Sequence, residues 1–257
     1  MRNTWIICRK ELRSYFVSPI AYLLLAMFAI IFGYLFTSYV SDFVRYGMAM
    51  QMRGESFPMN VNEELIRPLL GTAGFLGLFL IPLVTMRLFA EEKRNGTIEL
   101  LTTSPVRDFE VVLGKWLASM LVYALMLVLT GLNLIWLFKY GNPDWKPLVI
   151  GYLGVLLQAG AMLAIGAFIS TLTRNQIVAG GATFAVCLLL WLAGIAGGNG
   201  FESSTMSQVF SYLSLITHYE SFSKGVLASK DAVYYVTLIF LGLFLTVRSI
   251  ESLRWRS

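Results

Sequence analysis

The sequence predicts an all-α integral membrane protein with six transmembrane helices. Apolar residues make up 57% of the 257-residue chain, charged residues only 14%, and the mean hydropathy is +0.69. An ordinary soluble protein is about 45–50% apolar and about 25% charged. A soluble fold of this length could not bury so much apolar surface, so lipid must cover part of it. Residues 1–257 show no internal repeat and are interpreted as a single membrane domain.

Six stretches of the chain contain almost no charge and are candidates to cross a bilayer, which takes about 20 apolar residues. The first five meet this length outright. The sixth is shorter, but Asp231 and Arg248 at its ends can extend their charged groups to the interface. Arg174 alone separates the fourth stretch from the fifth, which predicts a tight turn. The predicted spans are residues 18–41, 68–90, 115–138, 147–171, 176–198 and 231–249.

The distribution of lysine and arginine predicts that both termini lie in the cytoplasm. With six spans in that orientation, 13 of the 20 basic residues fall on the cytoplasmic side and seven on the other. This asymmetry follows the positive-inside rule, and an odd number of spans would spoil it. The net charge of +5 therefore indicates membrane orientation and not a nucleic-acid partner. The first uncharged run is longer than that of a signal peptide and is followed by no cleavage site.

Residues 1–17 are predicted to form an amphipathic elbow helix ahead of the first span. At 100° per residue, the apolar side chains fall within an arc of about 100°. Such a helix lies in the membrane interface with its apolar side in lipid. The alternative is a flanking segment whose charges only follow the positive-inside rule. The side chains predicted to face the membrane are Trp5, Leu12, Tyr15 and Phe16, with Cys8 on the same arc.

The connection between the second and third spans, residues 91–114, is too long and too charged for a plain turn. Gly96 can end a helix that leaves the membrane, and Thr97 can cap a short helix over residues 98–101. Ser104 followed by Pro105 is typical of the start of the next helix. Asp108 and Glu110 then lie in its first turns, where the helix dipole favours negative charge.

A short cytoplasmic cross-helix joined to two spans can act as a mechanical device. A soluble partner that grips it would move both spans, with charged side chains as polar contacts and leucines as an apolar anchor. The alternative is a solvated loop with ordinary charges. The spacing of residues alone does not separate the two.

The run TMRLFAEEKRNGTIELLTTSPVRDFEVVLGK resembles the matching segment of type-2 ABC exporter permeases. That family has an E-x-K-x-x-G-T-x-E-x-L pattern after the second span and a P…GK pattern before the third. RKELRSYFVSPIAY is similar to the family's elbow helix. The carboxyl-terminal YYVTLIFLGLFLTVRSIESLRWR resembles the gliding-motility-associated branch most closely.

This resemblance implies a permease in a bacterial inner membrane that dimerises and is driven by a separate cytoplasmic ATPase. ATP and magnesium would bind that ATPase, so no cofactor is expected on this chain. The gliding branch is expected to pair with a second permease-like chain that carries a large periplasmic part. The resemblance implies export. The residues that it places at the ATPase contact are Glu91, Glu92, Lys93, Arg94, Gly96, Thr97, Glu99, Leu100 and Leu101.

Searches for catalytic motifs indicate that the chain is not an enzyme. Its Gly114-Lys115 pair is followed by Trp116, where a phosphate-binding loop needs serine or threonine. Glu91 and Glu92 resemble the E-E-x-x-x-R opening of a CAAX-type protease family, but Gly96 occupies the arginine position. The single histidine and two separated cysteines form no metal-ligand pattern.

A stand-alone channel or secondary carrier is the alternative function. Such proteins usually place ionisable residues inside their spans, and apart from charges near their ends the predicted spans hold only neutral polar residues. Asn133 and Gln158 either line a substrate pathway or bond between helices. Small residues in the fourth and fifth spans, including Gly160, Ala164 and Gly166, predict close helix packing, with flexibility for alternating access as the other interpretation.

Overall fold

The computed structural model describes residues 2–54, 60–97, 106–141, 143–198 and 205–254. Six of its helices are long and apolar enough to cross a membrane, and the described residues contain no strand. This confirms the predicted fold class and the number of spans. The elements are α1 (Arg2–Val17), α2 (Pro19–Met52), a π-helical turn (Asn62–Ile66), α3 (Arg67–Thr85), α4 (Ala90–Asn95), α5 (Asp108–Tyr140), α6 (Trp145–Leu172), α7 (Gln176–Gly198), α8 (Thr205–Leu213), α9 (Leu215–Ser223) and α10 (Ser229–Arg254).

Helices α3 and α6 form the centre of the bundle, and α2 and α7 lie at its periphery. The most extensive helix pair is α6 with α10. At their crossing, a Cβ added to Gly242 would lie 2.8 Å from the carbonyl carbon of Ala164, so the two backbones are in close contact. Membrane helices rely on such small residues because lipid offers no hydrophobic drive for helix association. Gly242 was not part of the predicted packing motif.

Two helix boundaries differ from the sequence-based prediction. Helix α2 continues to Met52 and ends before Gly54, which has a φ of 72°. The charges that follow residue 41 therefore do not mark the end of the helix. The predicted start of α5 at Ser104 and Pro105 is wrong, because Arg107 is extended (φ −74°, ψ 136°) and the helix begins at Asp108. Pro105 itself lies outside the described residues.

The segment after the fifth span folds into two short helices. Helices α8 and α9 are separated at Ser214, whose backbone is extended and whose hydroxyl accepts a hydrogen bond from the Thr217 N–H at 3.1 Å. This cap satisfies a free backbone donor at the start of α9. The tight turn predicted at Arg174 is confirmed, because α6 ends at Leu172 and α7 begins at Gln176.

Candidate functional site

The short helix α4 is attached to the end of α6 at both of its ends. The Ser170 hydroxyl of α6 accepts hydrogen bonds from the backbone N–H groups of Phe89 and Ala90, each at 3.1 Å. These are donors that a helix start leaves without an intrahelical acceptor. Further along α4, the Lys93 ammonium donates to the Thr171 carbonyl oxygen. Helix α4 therefore has a fixed position against a central span.

A buried cluster of three charged side chains, Glu11, Glu92 and Lys115, connects α4 to two other helices; we call it the charged junction. The Lys115 side chain on α5 is only 3% exposed. Its ammonium lies 3.0 Å from a carboxylate oxygen of Glu11 on α1 and 2.8 Å from one of Glu92 on α4. It also lies 5.4 Å from the ring centroid of Phe89.

The electrostatics of the charged junction are those of a buried ion-pair network. Removing a lone ammonium from water costs several kcal/mol, and this cost is offset only by close partners of opposite charge. Lys115 has two carboxylates and an aromatic face. One oxygen of Glu92 is buried without a hydrogen-bond partner among the described residues. The network thus fixes the relative position of α1, α4 and α5, and loss of one member leaves the others uncompensated.

Helix α1 packs closely on α5 and also reaches α3. A Cβ on Gly114 of α5 would lie 2.9 Å from the Thr4 carbonyl oxygen, so only glycine allows this approach. The Asn3 amide donates to the Glu110 carboxylate at 3.0 Å. The Tyr15 hydroxyl donates to the Val84 carbonyl oxygen at 3.1 Å, and burial raises the pKa of this hydroxyl, which stays protonated. The amino-terminal helix is therefore docked on the bundle.

The residues predicted to contact an ATPase fall into two groups. Glu92 and Lys93 bond inside the chain, whereas Arg94 and Thr97 are exposed. Gly96 has a φ of 72° and ends α4, as the sequence predicted, and the Thr97 N–H donates to the Glu92 carbonyl oxygen at 3.0 Å. Glu91 is half-buried. The remaining predicted contacts, Glu99, Leu100 and Leu101, and the cross-helix over residues 98–101 lie outside the described residues.

A cationic groove lies beside the exposed end of α4. It has a volume of about 510 Å³ and is formed by Arg94 together with residues of the turn between α6 and α7. Two arginines and no carboxylate are found in its described lining, so it favours an acidic partner surface. Sequence reasoning missed this pairing, because its members are far apart in the chain. The lining residues are Arg94, Arg174, Asn175, Gln176 and Ile177.

The predicted membrane face of α1 is divided between lipid-accessible and protein-facing side chains. Trp5 is 63% exposed, and Phe16 is half-buried with its ring 5.9 Å from that of Tyr22. Leu12 and Tyr15, in contrast, pack against the main hydrophobic core. Lipid contact therefore remains a prediction for Trp5 and Phe16.

Asn133 and Gln158, the two amide residues predicted to line a pathway or bond between helices, lie in different environments. Gln158 on α6 is buried, and its side-chain oxygen lies 2.9 Å from where a Cβ on Gly74 of α3 would be. Asn133 is half-buried on α5. The Gln158 side-chain oxygen has no hydrogen-bond partner among the described residues, so bonding between helices and a place in a pathway both stay predictions.

A buried histidine–aspartate pair at the end of the bundle opposite the charged junction was missed by sequence reasoning. Nδ1 of His218 on α9 lies 2.7 Å from an Asp231 carboxylate oxygen, and Nε2 lies 3.1 Å from the Tyr212 carbonyl oxygen. Asp231 is 1% exposed, so the expectation that it extends to the interface is wrong. The carboxyl group lies inside the protein with His218 as its hydrogen-bond partner. Its ring also stacks on Tyr234 at 3.9 Å between centroids.

Comparison with known proteins gives one family and one related permease. The family model described as "ABC-2 family transporter protein" matches residues 5–250 of this chain. The chain is 29% identical over 161 residues to the protein named "Inner membrane transport permease YhhJ" in Escherichia coli strain K12 and in Shigella flexneri. The alignment covers 59% of this chain and 41% of each relative, so it spans less than half of their length.

Proposed function

The chain belongs to the ABC-2 family of transporter proteins, and from that premise we propose that it is the permease subunit of an ATP-driven transporter. The ATPase would be a separate cytoplasmic chain, which binds ATP and magnesium. We propose that both termini and the charged junction face the cytoplasm of a bacterium, with the chain in its inner membrane. The 13-to-7 distribution of basic residues supports this orientation.

The attachment of α4 is the observation that carries this proposal. A force applied to its exposed end reaches α6 through Ser170 and α5 through the Glu92–Lys115 ion pair. The same ion-pair network includes α1 through Glu11. Movement of a partner against α4 would therefore tilt several membrane helices together. This is the property that coupling of ATP hydrolysis to transport requires.

The structure changes which residues we propose for the ATPase contact. Glu92 is engaged internally, so its role is to transmit force and not to bind the partner. Arg94 and Thr97 are exposed and lie next to the segment predicted as the cross-helix. Arg94 and Arg174 share the cationic groove. We therefore assign the polar part of the ATPase contact to these two arginines, opposite an acidic surface.

Dimerisation and export are further parts of the proposal. A second copy, or a homologous permease chain, would complete a path at the interface between them. The amino-acid pattern of the last span supports kinship with the gliding-motility-associated branch. That kinship favours a second permease-like chain with a large periplasmic part as the partner. The neutral spans permit lipids or hydrophobic solutes as substrates. They also permit a machine that does mechanical work on envelope proteins.

Co-purification of ATPase activity tests the proposal. The tagged full-length chain is extracted from its native membranes in mild detergent, and vanadate-sensitive ATP hydrolysis is measured in the purified sample. We expect activity with the wild type and about a tenfold loss in the Arg94→Glu, Arg174→Glu double variant. Arg45→Glu, Arg53→Glu is the matched control, because both arginines are exposed on the helix end predicted to lie outside. Equal loss in both double variants would contradict the assigned contact.

The alternative function, a stand-alone channel or secondary carrier, is favoured by one observation. The buried His218–Asp231 pair is ionisable, and ion-coupled carriers use such groups. Proteoliposomes that contain only this chain separate the two functions. Proton flux across them that disappears in His218→Leu, together with no ATPase in the membrane extract, would support the alternative.

A further inference from the structure

A polar cavity lies where α1, the start of α2 and the end of α3 meet. Its volume is about 220 Å³. The site is at the boundary between polar and apolar chain, because the apolar run of α2 begins at Pro19 and that of α3 ends at Thr85. The cavity is thus at the depth of phospholipid headgroups on the side of the membrane that contains α1. Its lining is Glu11, Ser14, Tyr15, Ser18, Ile20, Ala21, Leu24, Leu83, Arg87, Leu88 and Glu91.

The charges of this cavity leave one cation and one anion to be matched. Glu11 pairs with Lys115, which it shares with Glu92 in the charged junction. Arg87 and Glu91 remain, and neither forms an ion pair with another described residue. The Nε of Arg87 is buried without a hydrogen-bond partner among the described residues. A buried donor of this kind is destabilising unless an acceptor satisfies it.

We propose that this cavity binds the headgroup of a zwitterionic aminophospholipid. The phosphodiester accepts from the Arg87 guanidinium, and the primary ammonium donates to the Glu91 carboxylate. Guanidinium–phosphate contacts are among the stronger hydrogen bonds in proteins. Ser14 and Ser18 supply hydroxyl groups in the same lining. Lipid binding is independent of the proposed transport function.

The apolar part of the lining indicates a lipid and not a free phosphate compound. Leu83 is exposed at 38% and lines the cavity together with half-buried Ile20. These side chains can contact the glycerol backbone and the first acyl carbons, where burial of apolar surface favours binding. A soluble phosphate would leave this surface uncovered.

The same chemistry predicts which lipids are rejected. A choline headgroup has the phosphate but no N–H to donate to Glu91. A glycerol headgroup is anionic and places no cation beside that carboxylate. A primary amine headgroup satisfies both residues, so it is expected to bind more tightly than either.

Native mass spectrometry of the full-length chain in detergent tests this assignment. The protein is titrated with phosphatidylethanolamine, phosphatidylcholine and phosphatidylglycerol of the same acyl chains. We expect phosphatidylethanolamine to bind about tenfold more tightly than the other two, and Arg87→Gln and Glu91→Gln each to remove that preference. Arg13→Gln is the matched control, because this exposed arginine is next to Ser14 in sequence but lies outside the cavity.

Two kinds of result would overturn the assignment. Equal affinity for phosphatidylglycerol with dependence on Arg87 alone would indicate a general anionic-lipid site. Displacement of the lipid by millimolar inorganic phosphate, or equally tight binding of soluble phosphoethanolamine, would indicate a site for a free phosphate compound. An unfolded Arg87→Gln variant is replaced by Arg87→Lys, which keeps the charge and is expected to retain the preference at lower affinity.

Discussion

The carboxylate of Glu92 lies 2.8 Å from the ammonium of Lys115, and this ion pair joins the short helix after the second span to the start of the third. In the sequence, Glu92 belongs to a charged segment that resembles a partner-binding loop, and Lys115 ends a Gly-Lys pair. The fold brings them together in a buried network with Glu11 of the first helix. The contact that could transmit force between spans is therefore an internal one.

Replacing Lys115 tests the contribution of the charged junction to stability. Lys115→Met leaves two largely buried carboxylates without their cation. We expect the free energy of unfolding, measured by denaturant titration in detergent, to fall by about 3–5 kcal/mol. Glu92→Gln keeps a hydrogen-bonding group and leaves Glu11 in place, so a smaller loss of about 1–3 kcal/mol is expected.

The control for this prediction is an exposed ion pair of the same length. Glu251 lies 2.8 Å from Arg248 on α10, but the two side chains are 37% and 63% exposed. Glu251→Gln is expected to change the free energy of unfolding by less than about 1 kcal/mol. A Lys115→Met protein as stable as the wild type would remove the proposed role of the network.

The contact between Gly166 and Thr85 predicts a steric effect at the centre of the bundle. A Cβ added to Gly166 of α6 would lie 2.7 Å from the Thr85 Cβ at the end of α3. Gly166→Ala is therefore expected to lower the free energy of unfolding by about 1–3 kcal/mol. Gly181→Ala is the control, because a Cβ there has no atom within 4 Å; it should be neutral or slightly stabilising. Equal stability of the two variants would contradict this helix crossing.

The buried pair of His218 and Asp231 predicts an order of stabilities. Both nitrogens of the His218 ring face acceptors, Asp231 on one side and the Tyr212 carbonyl on the other. Asp231→Asn can donate its amide to Nδ1 and is expected to be mild. Asp231→Leu leaves a ring nitrogen unpaired and is expected to lower the free energy of unfolding by about 1–3 kcal/mol. His218→Leu isolates a buried carboxylate and is expected to cost the most, about 3–5 kcal/mol.

The double variant separates a buried pair from simple packing. His218→Leu, Asp231→Leu removes both polar groups, so no unpaired charge remains, and it should be more stable than His218→Leu alone. Thermal unfolding followed by circular dichroism gives the order. If the double variant is the least stable of the four, packing of the ring on Tyr234 dominates.

The sequence predicted the parts of this structure that depend on local composition. The six spans follow from apolar length, and the left-handed Gly96 and the turn at Arg174 follow from residue type. Close packing at Gly166 followed from the spacing of small residues, whereas flexibility there remains untested.

The missed features depend on which helices become neighbours. Lys115 contacts Glu11, which is 104 residues earlier in the sequence, and Ser170 contacts Phe89, which is 81 residues earlier. His218 and Asp231 are 13 residues apart but lie on separate helices. Helical periodicity places a side chain on a face of its own helix and does not identify the helix that this face contacts. The predicted start of α5 at Ser104 and Pro105 was wrong, because a Ser-Pro pair permits a helix start without requiring one.

The position of Cys8 gives a chemical test of how the amino-terminal helix lies. Cys8 is fully buried, and burial together with the nearby negative charge of Glu11 raises the pKa of its thiol. Because the thiolate is the reactive form, alkylation by membrane-permeant N-ethylmaleimide at pH 7.5 is expected to be at least about tenfold slower than at an exposed cysteine. Ile6→Cys in a Cys8→Ala background is the matched comparison, since Ile6 is on the same helix and is 58% exposed. Both proteins carry Cys187→Ala, and denaturation in detergent should make their rates equal. A helix that floats in the interface away from α5 would leave Cys8 as reactive as the cysteine introduced in the comparison protein, and the charged junction would then lack its Glu11 member.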